Sequence, residues 1–270
     1  MHRIWTYLLL LLLASCAKEA DWSPVNDGEE RIVVEGILTS EARVQEIYIH
    51  YNKTGINDEP LPVSGAEVIV NNEEETFRLS EDPGEPGKYL TDTVVAAQLD
   101  RNYSLLILYG QKVYSAQAYM VAGQQFPELS YAKNDDDEFY HIDYVASAFE
   151  ASDPAMWEVL IDWSTVPGYE NSSDTRRRLL FNTLPTLDVS QVFAPLVEEV
   201  CFPAGTRIDQ RRYSLSPEHA AFIRSLLLET SWQGGVFPSD PANVNTNLSE
   251  GALGFFGICA VNSLSLTVTP

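Results

Sequence analysis

Asn102-Tyr103-Ser104-Leu105-Leu106-Ile107-Leu108-Tyr109-Gly110 is the stretch from which the fold class follows. Tyr103, Leu105, Ile107 and Tyr109 fall on one side of an extended chain, because successive side chains of a strand point to opposite faces. Gly110 ends the run, and a second strand over 112–120 makes the pair a hairpin. The same two-residue period recurs upstream. Ile32, Val34, Gly36 and Leu38 share one face, as do Ile47, Ile49 and Tyr51, then Ala66, Val68 and Val70, then Phe77 and Leu79. A polar loop before Pro62, the acidic turn 71–75 and the break at 83–87 punctuate them, and 88–90 resumes the pattern. About seven short strands with turn signals and no helical period read as an antiparallel sandwich over 30–123.

Beyond a boundary at 124–127 the pattern stays β-rich to residue 270. Phe139 to Phe149 alternates, and Trp157, Val159, Ile161 and Trp163 lie on one strand face. Those tryptophans suit either a sugar-stacking platform or a core, and core is the expectation. Residues 178–183 return to strand character. One helix is expected at about 217–231: Ser216 is a good N-cap, Pro217 suits the first helical position, Glu218 favours the dipole, and Ala220, Ile223, Leu226 and Leu227 recur at helical spacing. Closing strands follow over 251–268. The fold class is therefore mainly β, in two parts, with one helix in the second.

The chain begins with Arg3 and an apolar run of about ten residues from Ile4 to Leu13, the length of a secretory leader and too short to span a bilayer. The small residues Ala14 and Ser15 precede Cys16. Leu13-Ala14-Ser15-Cys16 resembles the lipobox of bacterial lipoproteins, in which the cysteine sulfur is lipidated and becomes the first residue of the mature chain. That resemblance implies a leader over 1–15 and membrane attachment through Cys16. At about 0.8 kcal/mol per buried methylene, one acyl chain binds marginally and several hold firmly. Residues 16–29 lack periodicity and read as a flexible tether.

The whole chain carries 17 basic and 39 acidic residues, a net charge of −22. Removal of the leader takes one basic residue and no acidic one. Such an excess argues against nucleic acid, whose phosphates require clustered Lys and Arg. With Cys16 lipidated, Cys201 and Cys259 are an even pair of thiols in an oxidising compartment. A bridge between them would stabilise by about 4 kcal/mol; two free thiols are the alternative.

Two resemblances add to this reading. Gly65-Ala66-Glu67-Val68-Ile69-Val70, Gly87-Lys88-Tyr89 and the hairpin from Tyr103 to Tyr114 are similar to the transthyretin-like fold of carboxypeptidase regulatory domains, modules that position a partner. Tyr213-Ser214-Leu215-Ser216-Pro217-Glu218, the helix, Phe237-Pro238, Val244-Asn245-Thr246-Asn247-Leu248 and Gly251-Ala252-Leu253-Gly254-Phe255-Phe256-Gly257 resemble the Bacteroidota lipoproteins grouped as domain of unknown function 4249. Val33-Val34-Glu35-Gly36 fits the same family. The resemblance implies a lipid-anchored outer-membrane protein, on the periplasmic face or the cell surface, encoded beside a TonB-dependent receptor and serving it in nutrient uptake. It brings no known catalytic residues. The helix and the 243–257 loop are the expected contact surface, with Asn245, Asn247, Phe255 and Phe256 foremost. A structural or envelope-assembly lipoprotein and a surface hydrolase are the other readings.

Residue chemistry points to no cofactor. The histidines are His2, His50, His141 and His219, none within three to five residues of another, so metal-site spacing is lacking. Neither a glycine-flanked nucleophile elbow nor a glycine-rich phosphate loop is found. The acidic run 134–138 lacks the glycine and spaced glutamate of a calcium loop and reads as a solvated turn. Arg176-Arg177-Arg178 and Arg211-Arg212 suit a carboxylate ligand or a partner's acidic loop, but ion pairing within the protein is the expectation.

Overall fold

The computed structural model describes residues 30–53, 59–135, 137–170, 172–186, 199–230 and 244–270. The leader, Cys16, the tether, Phe237 and Pro238 lie outside the described residues. The described residues of 30–52 and 60–270 belong to one compact unit.

Its strands are β1 (Ile32–Thr39), β2 (Glu46–Tyr51), β3 (Glu67–Asn71), β4 (Thr76–Glu81), β5 (Lys88–Thr91), β6 (Asn102–Tyr109), β7 (Lys112–Tyr119), β8 (Ser130–Lys133), β9 (Tyr140–Tyr144), β10 (Ala155–Asp162), β11 (Arg176–Thr183) and β12 (Arg207–Ser214). Helix α1 (Pro217–Glu229), β13 (Ala252–Cys259) and β14 (Val261–Thr267) complete the described elements. The protein is mainly β with one helix among the described residues, as the alternation predicts.

The first sheet has eight strands in the order β13-β1-β2-β5-β4-β3-β6-β7. Its buried face carries Ile32, Val34, Leu38, Ile47, Ile49, Val68, Val70, Leu79, Tyr103, Leu105 and Ile107, the faces that the two-residue period selects. In the β6–β7 hairpin Tyr109 stands opposite Lys112, and Gly110 takes φ 60° in the two-residue turn. The sandwich is one sheet curled until its outermost strands meet. Ala116 of β7 bridges to Leu248, and Ser249 donates its amide to the Ser115 carbonyl at 2.8 Å. Asn247 fastens the seam: its Nδ2 donates to Gln117 O at 2.8 Å and to Phe256 O at 2.7 Å, while its Oδ1 accepts from Phe256 N at 3.0 Å.

Chain order places Ala252–Cys259 in the second part, yet the strand is an outer member of the first sheet. It runs parallel to β1, with Ile32 opposite Ala252 and Thr39 opposite Cys259. Alternation reports which side chains are buried, not which distant strand they pair with. Gly254 is what lets the two backbones approach: it has φ +91°, and a Cβ there would lie 2.1 Å from the Val34 carbonyl oxygen.

The second sheet runs β11-β10-β12-β14, and β8-β9 forms a separate hairpin. Trp157, Val159, Ile161 and Trp163 are buried with Phe202, Ile208 and Val268, so the tryptophans are core. Trp157 Nε1 donates to Thr183 Oγ1 at 2.9 Å, satisfying the one polar atom its burial strands. Only Ala260 separates β13 from β14, so one extended chain serves both sheets.

Helix α1 begins where its cap requires. Ser216 accepts from His219 N, Pro217 opens the first turn, and Glu218 supplies the acidic residue there. His219, Ala220 and Ile223 form the buried stripe, whereas Leu226, expected on it, is 39% exposed.

Because Asn247 closes the curled sheet through three half-exposed hydrogen bonds, Asn247→Ala should destabilise by about 1–2 kcal/mol. It should also speed hydrogen exchange selectively at the Phe256 amide. Exchange there at the wild-type rate would mean that the seam holds without it.

Candidate functional site

The outward face of β1, β2 and β13 does not lie against solvent alone. Facing it are helix α1 and the β10–β11 side of the second sheet, and between them runs a groove of about 1100 Å³. Val33, Glu35 and Ile37 of β1 form its floor with Leu253 and Phe255 of β13. Phe222 and Leu226 of the helix and Val244 line one side; Met156, Arg178, Leu180 and Tyr213 line the other. Leu180 is 52% exposed, and Leu226 and Val244 are more than one-third exposed. Arg31, Glu35, Arg43, Glu46 and Thr246 also line it, so it is a concave surface that mixes apolar and charged side chains, a form that ligand sites take.

One end is walled by ion pairs linking the loop after β1 to the second sheet. Glu158 is buried mid-strand on β10, where its carboxylate accepts from Arg178 Nε at 2.5 Å, Arg211 Nη1 at 2.8 Å and Tyr213 OH at 2.9 Å. The other arm of Arg211 grips Glu41. Burial alone pushes the Glu158 carboxyl up, but Arg178, Tyr213 and Arg211 outweigh it and hold it below the ordinary carboxylate range. Its proximity raises the Tyr213 phenol, which burial already disfavours ionising. Arg176 pairs with Asp162, Arg177 with Asp174 and Arg212 with Asp153. Both arginine clusters are thus bound to the protein's own carboxylates.

His219, Phe255 and Phe222 form a stack, with ring centroids 4.7 and 4.8 Å apart. The imidazole lies on Gly257, where a Cβ would come 2.7 Å from the ring. Its Nδ1 is 3.7 Å from the Cys259 sulfur, a pairing that invites comparison with a nucleophilic dyad. The electrostatics oppose it: burial lowers the histidine to about 4 and pushes the thiol up to about 12. At neutral pH both groups are uncharged and sealed in the core, whereas a reactive cysteine needs thiolate character and access.

Several expected positions fall elsewhere. Cys201 and Cys259 are free thiols, one exposed and the other buried. Asn134 Nδ2 lies 3.5 Å from the Cys201 sulfur, on the hairpin side of the second sheet, while Cys259 ends β13 beneath the helix. Of the two alternatives, bridge or free thiols, the structure carries free thiols. Phe256 is fully buried in the first core, whereas Phe255, 7% exposed within the stack, contributes to the floor of the groove. Asn247 is the seam fastener described above. Asn245 is exposed, but its backbone amide donates to Ser225 Oγ at 3.0 Å and ties the segment before β13 to the helix. The lipidation position Cys16 lies outside the described residues.

Reading the sequence by itself passes over three residues that build the groove. Glu158 is one charge inside the apolar run of β10, and that isolation is a signal for a buried partner. Gln45 gives none: fully buried, it donates to the carbonyls of Thr39, Glu41 and Val95 and accepts from Thr39 N, fixing the loop after β1. Arg43 rides on that loop into the groove.

The two buried titrating groups act in separate pH windows. Unfolded His219 takes a proton as pH falls through 6.5, folded His219 only near 4. Its contribution to stability is thus complete above pH 6.5 and is lost on descent toward 4, a change of about 3 kcal/mol. The depressed Glu158 contributes above the ordinary carboxylate range and is lost only as pH falls through its lowered value. Urea denaturation from pH 7 to 3 should show both losses. His219→Gln should flatten the upper one and leave the lower; Glu158→Gln should remove the lower and destabilise by about 3 kcal/mol at pH 7. An unaltered slope between pH 6.5 and 4 in His219→Gln would contradict the assignment.

Comparison with known proteins bears on the whole chain. Among solved structures, a DUF4785 family protein of Legionella pneumophila is similar at 12% identity, over 67% of this chain and 52% of that one, with a TM-score of 0.20. This chain spans about half the length of that protein. No curated protein matches. The sequence profile of a family described as Domain of unknown function (DUF4249) matches residues 23–265. Since that match takes in both sheets, the helix and the groove, the chain belongs to the DUF4249 family.

Proposed function

We propose that this protein is a lipid-anchored outer-membrane lipoprotein that acts without catalysis, as a binding accessory of a TonB-dependent receptor in nutrient uptake. The observation that carries the binding role is the groove of about 1100 Å³, whose floor carries Val33, Ile37 and Leu253 and whose walls expose Leu180, Leu226 and Val244. A surface with Leu180, Leu226 and Val244 open to water suits an occupant that covers them. The polar groups beside it serve cohesion: Glu158 already accepts from three donors, and the Cys259–His219 pair is uncharged at neutral pH. Neither arrangement supplies a poised base or nucleophile.

Support for the anchor comes from the sequence. Leu13-Ala14-Ser15-Cys16 follows an apolar leader, and 16–29 supplies a tether between the lipid and β1. An acidic body on such a tether is held off anionic headgroups by its own charge.

Two measurements test the reading. Alkyne-palmitate fed to cells should label the protein, and Cys16→Ser should abolish the label; equal labelling of the variant would refute the anchor. Pull-down of the tagged full chain from detergent-solubilised outer membranes should recover a TonB-dependent receptor, identified by mass spectrometry. Recovery of the protein alone, under conditions that keep other receptor complexes intact, would overturn the accessory role.

A further inference from the structure

Arg43 is the unexplained cation of the groove. The loop bearing it is rigidly held: Gln45 clamps the carbonyls of Thr39, Glu41 and Val95, and Arg43 exchanges backbone hydrogen bonds with Val95. Yet Arg43 Nε is buried without a hydrogen-bond partner, one of three such side-chain nitrogens among the described residues. A buried donor left unmade is costly, and its presence in a native fold calls for an acceptor.

The carboxylates lining the groove are engaged elsewhere. Glu35 pairs with His50 at 3.3 Å and Glu46 with Lys88 at 3.3 Å. Arg178 is brought to the same end by the chain of contacts through Glu158 and Arg211 to Glu41, which shares the Arg43 loop. In a chain with 39 acids against 17 bases, Arg43 adds a cation to this end of a groove lined also by Arg31, Glu35 and Glu46, where Arg178 is already paired with Glu158. Along the trough, Val33, Ile37 and Leu253 continue the floor, and Phe222, Leu226 and Val244 the wall. β1 alone spans about 26 Å at roughly 3.3 Å per residue.

We propose that the groove binds a long-chain carboxylic acid. The carboxylate sits on Arg43 with Arg178 beside it, and the alkyl chain lies along β1 between β13 and the helix. Guanidinium and carboxylate match in geometry and charge, and Arg43 presents its guanidinium at the groove lining. The chain covers the open leucines. This rests on the protein being a non-catalytic binding module.

The test is photo-crosslinking of the full chain in isolated membranes with a diazirine-bearing palmitic acid, followed by peptide mapping. Label should fall on peptides from β1, α1 and β13. The methyl ester of the same probe should label about tenfold less, as should the acid on Arg43→Leu, for loss of one charge-assisted contact. Arg43→Lys should recover part of the signal, and it carries the comparison if Arg43→Leu has a lowered melting temperature. Equal labelling by acid and ester, label confined to other peptides, or competition by phosphatidylglycerol as strong as by unlabelled palmitic acid would each overturn the proposal. The receptor pull-down is scored separately: failed labelling with the receptor still recovered rejects the ligand and spares the accessory role, and labelling without the receptor does the reverse.

Discussion

The structure depends on one extended stretch of chain, β13 and β14, that serves two sheets. β13 pairs with β1 on the first sheet, Ala260 passes the chain across, and β14 pairs with β12 on the second. The crossing is held from both sides. Ser214 N donates to Ala260 O at 2.9 Å and Ala260 N donates to Ser214 Oγ at 3.0 Å, while Ser40 N bonds Cys259 O and Ser40 Oγ accepts from Val261 N. With hardly any slack at the junction, the sheets cannot hinge without breaking ladder hydrogen bonds, each costly to leave unmade in the interior.

That constraint explains what the sequence discloses and what it hides. The buried faces are legible because alternation is local: Tyr103, Leu105 and Ile107, or Trp157, Val159 and Ile161, declare themselves within a few residues. The helix is legible for the same reason, through Ser216, Pro217 and its apolar spacing. Pairing of β13 with β1 is not, since it joins positions more than two hundred residues apart and no local pattern encodes a distant partner. Phe256 is misleading as a contact residue for a related reason. Two adjacent aromatics near a polar loop suggest an exposed tip, but successive side chains of a strand point to opposite faces, so Phe256 enters the first core while Phe255 turns to the groove and the ring stack.

The groove was hidden most thoroughly, because it is made by the meeting of elements and belongs to none of them. Its floor is the outer face of a sheet, which by alternation alone should be polar; Val33, Ile37 and Leu253 depart from that rule without saying why. The arginine clusters were partly legible. Their acidic partners were to be expected from composition, yet only the fold shows that Glu158 collects Arg178 and Arg211 from two different strands. A carboxylate so surrounded has its lone pairs committed, and the same network that depresses its pKa removes it as a general base at neutral pH.

A rigid junction has a consequence for binding. Both walls of the groove hang from the shared stretch: the floor includes β13, and the opposite wall is reached through β12, which β14 holds in register. The helix is fixed independently by its cap and by the stack of Phe222, His219 and Phe255 over Gly257. A trough bounded in this way is preformed, so an occupant enters with little reorganisation and little ordering cost in the protein. For the ligand proposed above, the free energy of binding would then come chiefly from covering Val33, Ile37 and Leu253 of the floor and from the charge of Arg43. Selectivity for such a ligand would therefore rest on its length and polarity, and not on movement of the protein around it.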